Sequence, residues 1–178
     1  MTEAAVAPLA RAQKLAGGAA TVAVIGAVLL VIGAVGREIV PPAAQALASR
    51  EVTPDLAGAL NFIRAVGAFV VLAVPSFILA GALLDLSKVL DEYGKGQFFT
   101  LRASAGVRSA AESALWALGF KIVGAPTIYG WITQEGRGFV WHMEPFDFGL
   151  IAFAAFVAVL GRVLEAAARI KEENEQIV

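Results

Sequence analysis

Long apolar blocks bracketed by charge dominate the chain. No charged residue falls between Lys14 and Arg37, so Leu15–Gly36 is uninterrupted and long enough for a membrane crossing, which takes about 20 apolar residues. A second block runs from Ala65 to Leu84 between Arg64 and Asp85. The uncharged stretch Phe148–Gly161 lies between Asp147 and Arg162 and lengthens if those charges snorkel. Before it comes a less apolar segment, with Glu112 near one end and Lys121 near the middle. Read alone, that segment resembles a buried soluble helix. Read as a crossing, it brings the two termini to one side. The pattern predicts an all-α, integral membrane four-helix bundle forming one domain. Its transmembrane helices are expected at about 15–36, 62–85, 110–132 and 146–168, with a tail at 169–178.

Lysines and arginines orient this frame. Arg11 and Lys14 precede the first block, Lys88, Lys95, Arg102 and Arg108 follow the second, and Arg162, Arg169 and Lys171 end the last. Opposite them stand Arg37, Arg50, Arg64 and Arg137. The positive-inside rule then predicts N-in, C-in. Tyr129, Trp131, Phe139, Trp141, Phe146 and Phe148 crowd the third loop, as aromatics do at a membrane–water boundary. Within it, Ile132–His142 reads either as a short extracytoplasmic hairpin turning at Glu135-Gly136-Arg137-Gly138 or as an irregular aromatic anchor. The first block exceeds a signal-peptide core of about 7–15 residues, so it is expected to stay as an anchor despite Ala44-Gln45-Ala46 beyond it.

Composition narrows the chemistry. Hydrophobic residues make up 58% and charged residues 16%, against about 25% charged in soluble domains, and mean hydropathy is +0.74. A net charge of −1 argues against direct nucleic-acid binding. The absence of cysteine removes disulfides and thiolate chemistry, and one histidine, His142, cannot build a transition-metal site alone. No cofactor is expected. Gly94-Lys95-Gly96-Gln97 lacks the rest of a dinucleotide fingerprint, and no nucleophile elbow, paired-histidine helix or phosphate-binding loop is present. An enzyme is therefore not expected.

Local signals add detail. Thr53-Pro54-Asp55 reads as a helix start. Pro75 falls mid-span and should bend its helix. Ala23, Gly26, Ala27, Gly33 and Gly36 allow close packing within the bundle or across a homo-oligomer seam. Arg108 with Glu112, and Arg162 with Glu165, have the spacing of helical ion pairs. Lys121 is the residue that demands explanation. An ionisable group near the midplane is costly and marks a functional site by default. Gly124 and Pro126 follow it, where the helix is expected to be locally broken. Glu112 is too distant to pair with it, so a partner must come from another helix, and the other spans have no central acid.

The segment Tyr93-Gly94-Lys95-Gly96-Gln97-Phe98-Phe99-Thr100-Leu101-Arg102, then Val107-Arg108 and an apolar span, resembles a bacterial membrane-protein family, domain of unknown function 2975. So does the ending, Ala166-Ala167-Ala168-Arg169-Ile170-Lys171-Glu172-Glu173-Asn174-Glu175-Gln176-Ile177-Val178. Val107 departs from the leucine of the family's Leu-Arg pair. The resemblance implies four spans, a multi-pass place in the bacterial inner membrane, and a neighbouring helix-turn-helix regulator as cytoplasmic partner. On the residues themselves, Gly94 and Gly96 permit a turn, Phe98 and Phe99 can dip into the inner interface, and Thr100 can cap the next helix. Gly96, Phe98, Phe99, Thr100, Arg102, Arg108, Glu172, Glu173, Asn174 and Glu175 are thus expected to form a docking face. The leading expectation is a non-enzymatic regulatory or sensory membrane protein. The alternative is a small transporter or channel-like subunit with a midplane site at Lys121.

Overall fold

The structure, a computed structural model, describes residues 3–41, 44, 56–97, 100–133 and 138–176, with the backbone alone at 3–9, 38, 56–57 and 175–176. Helix α1 (Glu3–Ala34) ends in a π turn, Val35–Ile39. Helix α2 spans Leu56–Gly94 and passes through Pro75. Helix α3 (Leu101–Gly119), a second π turn (Phe120–Gly124) and α4 (Ala125–Thr133) form one continuous rod. Helix α5 covers Pro145–Gln176. There is no strand among the described residues. Thr53-Pro54-Asp55 lies outside them.

The rods pack in chain order. α1 lies on α2, α2 on the α3–α4 rod, and α3 on α5, while α1 does not approach α5 among the described residues. Small residues set the spacing. Gly161 of α5 sits against the backbone of Arg108, where a Cβ would stand 2.9 Å from the Arg108 nitrogen. Gly106 likewise admits the Val89 side chain of α2. Such contacts are how helices associate where lipid supplies no hydrophobic drive. In α1, Ala23 and Ala27 are buried and Gly26 meets Leu83, so these positions serve the fold itself, while Gly33 has nothing within 4 Å.

Three helices are long and apolar enough to cross a membrane: Ala10–Arg37, Gly58–Gly94 and Pro145–Asn174. The rod 101–133 is not among them. It has the length, about 50 Å at 1.5 Å per residue, but it carries Glu112 and Lys121 and a π turn. It begins at Leu101, where the expected Thr100 cap is in place, the hydroxyl accepting the Ala103 amide 3.1 Å away.

Of the two readings of the third loop, the hairpin is absent from the described residues. Ile132 and Thr133 are helical, and the Thr133 hydroxyl bonds the Tyr129 carbonyl. The returning segment finds partners on the rod instead. The Val140 amide donates to Thr127 Oγ1, whose hydroxyl donates back to the Val140 carbonyl at 2.9 Å. The turn at 134–137 lies outside the described residues.

Candidate functional site

Lys121 lies in the second π turn, and proline chemistry explains the turn. In an α-helix the amide of residue 126 would bond the Ile122 carbonyl, but Pro126 has no N–H. The rod is widened there rather than broken, with the Ala125 amide reaching back to the Phe120 carbonyl. Gly124 fits this turn because a Cβ would fall 2.6 Å from the Phe120 ring. The freed Ile122 carbonyl accepts the His142 amide at 2.8 Å, as orphaned carbonyls in membrane helices must be satisfied by a neighbour. The returning chain is thereby delivered to the level of Lys121.

There the chain turns into α5. The Lys121 ammonium lies 2.6 Å from Asp147 Oδ1 and 3.6 Å from Glu144 Oε2. Asp147 Oδ2 accepts the Glu144 amide at 3.0 Å, and the Asp147 amide donates to the Glu144 carbonyl. Asp147 thus caps the first turn of α5 with Oδ2 and binds the lysine with Oδ1, and it is 0% exposed. Its negative charge also suits the positive end of the helix dipole. The lysine has an acid partner at the start of the fourth helix, contrary to the expectation that the other spans offer none at its depth.

That depth follows from the packing register. Phe69 meets Tyr129 edge-on, with ring centroids 6.2 Å apart. Lys121 precedes Tyr129 by eight residues, so on antiparallel α2 its level is Phe77. Phe77 stands about 12 Å along the axis from Asp85 and about 20 Å from Arg64, well inside the apolar block. Gly26 faces Leu83, which puts the same level on α1 near Ile32, again within uncharged sequence.

The opposite end of the rods carries the other charged cluster. Arg108 Nη1 binds Glu165 Oε2 at 2.8 Å, and Arg169 binds the other oxygen of Glu165 at 2.8 Å. Glu165 therefore pairs with Arg108 and Arg169 rather than with Arg162. Arg108 also lies 3.6 Å from Glu112, as its spacing predicts. Arg102 reaches Glu92 of α2 at 3.4 Å. Gly96 adopts φ +80°, with its amide on the Tyr93 carbonyl and the Gln97 amide on the Glu92 carbonyl, a glycine-terminated helix end. Val89, Ala103 and Val107 pack beneath, with Tyr93 and Val157. Glu172, Glu173 and Asn174 are exposed on α5, which continues to Gln176. Phe98 and Phe99, and the side chain of Glu175, lie outside the described residues.

Gly96, Thr100, Arg102 and Arg108 therefore share one end of the molecule with the base of the α5 extension. Lys121 stands apart from them. Asp147 and Glu144 are the site residues that sequence reasoning missed. The available signal was length. Phe148–Gly161 spans about 21 Å as a helix, short of the roughly 30 Å hydrocarbon core, so a crossing here must take in residues beyond its flanking charges, Asp147 or Arg162. No group of three or more potential metal ligands occurs among the described residues.

Comparison with curated proteins and with solved structures gives no match. One family profile does match, over residues 40–178, leaving α1 outside the shared region. On that match the chain belongs to the family described as Protein of unknown function (DUF2975).

Proposed function

We propose that the chain is a multi-pass protein of the bacterial inner membrane, with both termini in the cytoplasm, that acts by holding a soluble partner rather than by catalysis. The observation that carries this reading is the extension of α5. The helix continues beyond the expected end of its span at 168 to Gln176, about 12 Å further. It presents Arg169, Lys171, Glu172 and Glu173, with Ile170 60% exposed among them. An exposed apolar residue within mixed charge on a rigid helix suits a protein groove. The ion pairs Arg108–Glu165 and Arg102–Glu92 hold its base to α3 and α2. The occupant is a soluble regulator of the helix-turn-helix class, and the chain itself makes no nucleic-acid contact. In lipid the four rods act as a bundle, and Gly33 leaves α1 open to a second copy in a homo-oligomer.

Crosslinking and pull-down from native membranes tests this reading, comparing the full chain with one ending at Ile170. Recovery of a DNA-binding protein with the full chain alone supports it. Equal recovery with both chains, or with neither, removes the docking role of the extension.

A second reading has its own observation. The Lys121–Asp147 pair lies at the depth of uncharged α1 and α2, where α5 begins, and a helix starting at such a site is how some transporters bind their cargo. On this reading Lys121→Leu abolishes function and removal of Lys171–Val178 does not. The docking reading predicts the reverse.

A further inference from the structure

The segment Gly138–Glu144 is not helical, yet it returns alongside the rod to the depth of Lys121. Its backbone is only partly satisfied. Val140 and His142 bond the rod, and the Glu144 amide bonds Asp147. The amides of Phe139, Trp141 and Met143 have no hydrogen-bond partner among the described residues. All seven residues but Met143 are exposed. Its polar side chains, and the lysine they adjoin, are open as well: His142 is 74% exposed, Glu144 56% and Lys121 41%.

Neither feature is tolerated against lipid. An unsatisfied backbone group in hydrocarbon costs several kcal/mol, and irregular backbone occurs at membrane depth only when covered by protein or lining a water-filled cavity. Ionisable side chains at that depth turn towards water or towards one another. The described residues of this chain do not cover the segment. The loop that carries it is on the side of the molecule away from the Arg108–Glu165 cluster.

We propose that Gly138–Glu144 lines an aqueous vestibule open to the outer face, with His142 and Glu144 on its wall and the Lys121–Asp147 pair as its floor. Water supplies the missing partners of the Phe139, Trp141 and Met143 amides. The fourth crossing is therefore a re-entrant extended segment followed by α5, not one helix from face to face. This inference rests on the reading that the chain spans a membrane.

The natural sequence contains no cysteine, so single-cysteine variants need no prior substitutions. Four are compared in intact cells with a charged, membrane-impermeant maleimide: His142→Cys, Glu144→Cys, Ile32→Cys and Phe77→Cys. All four positions are exposed, and the last two share the depth of Lys121 on α1 and α2. A thiol reacts as the thiolate, which forms in water and not in lipid. The expected result is labelling of the first two at least about tenfold faster than the last two. Protection of all four overturns the vestibule and leaves the spanning reading intact. Equal labelling of all four overturns the spanning reading itself.

Discussion

The Lys121 ammonium and the Asp147 carboxylate, 26 residues apart in the chain, meet at 2.6 Å. Each needs the other for a different reason. Asp147 is fully buried and would keep a charge without a counterion if the lysine were lost. Lys121 would keep only the longer contact to Glu144. Lys121→Met and Asp147→Ala should each lower the denaturation midpoint in detergent. The double variant should lose less than the sum of the two, because neither charge is then stranded. Additive losses would mean that the pair is not coupled.

The contact of α3 with α5 depends on a missing side chain. A Cβ on Gly161 would lie 2.9 Å from the Arg108 nitrogen and 3.0 Å from its Cα. Gly161→Val should cost about 1–3 kcal/mol, the range for overpacking a filled contact. Gly149→Ala on the same helix meets nothing within 4 Å. It should be neutral or stabilising by up to about 1 kcal/mol through helix propensity. Thermal unfolding of the two purified variants beside the parent separates packing from propensity.

At the head of α3, Thr100→Ala removes the acceptor for the Ala103 amide and should cost about 1 kcal/mol, while Thr100→Ser should retain most of it. Gly96→Ala faces two obstacles. The backbone holds φ +80°, and a Cβ would stand 2.6 Å from Gln13 Nε2. It should cost at least about 1 kcal/mol. Equilibrium denaturation reads both.

Pro126→Ala tests the origin of the π turn. The new amide can take the Ile122 carbonyl that now accepts from His142. The return segment should then loosen, with faster amide hydrogen exchange across 139–144 and little change in α3. Unaltered exchange would mean that the segment is held by Thr127 and Asp147 alone.

Much of this was legible in the sequence, for identifiable reasons. Charge-free runs gave the three most apolar helices, since length in hydrocarbon is a one-dimensional property. Thr100 and Gly96 were readable because caps and helix-ending glycines act within a few residues. The Asp147 partnership was not, because Asp147 looks like a flanking charge until the depth of its neighbour is known. The third-loop hairpin failed for a related reason. The glycine-bearing turn at 135–138 suggested a hairpin, but the acceptors that fix the segment, Ile122 and Thr127, lie on the preceding rod. The break expected at Gly124 and Pro126 is a π turn in an unbroken rod, at the place the two residues marked. The pairing of Glu165 with Arg108, 57 residues away, could not be read from local spacing.

The number of crossings decides the account. Three helices meet the length and apolarity needed to span a bilayer, and the rod 101–133, third in chain order, makes the remaining crossing in this reading. Protease-cleavable tags at the two termini, compared in spheroplasts and in inverted vesicles, measure whether that number is even or odd. With four crossings and both termini in the cytoplasm, both tags are protected in spheroplasts and both are cleaved in inverted vesicles. Tags cleaved from opposite sides would mean an odd number of crossings and would contradict it.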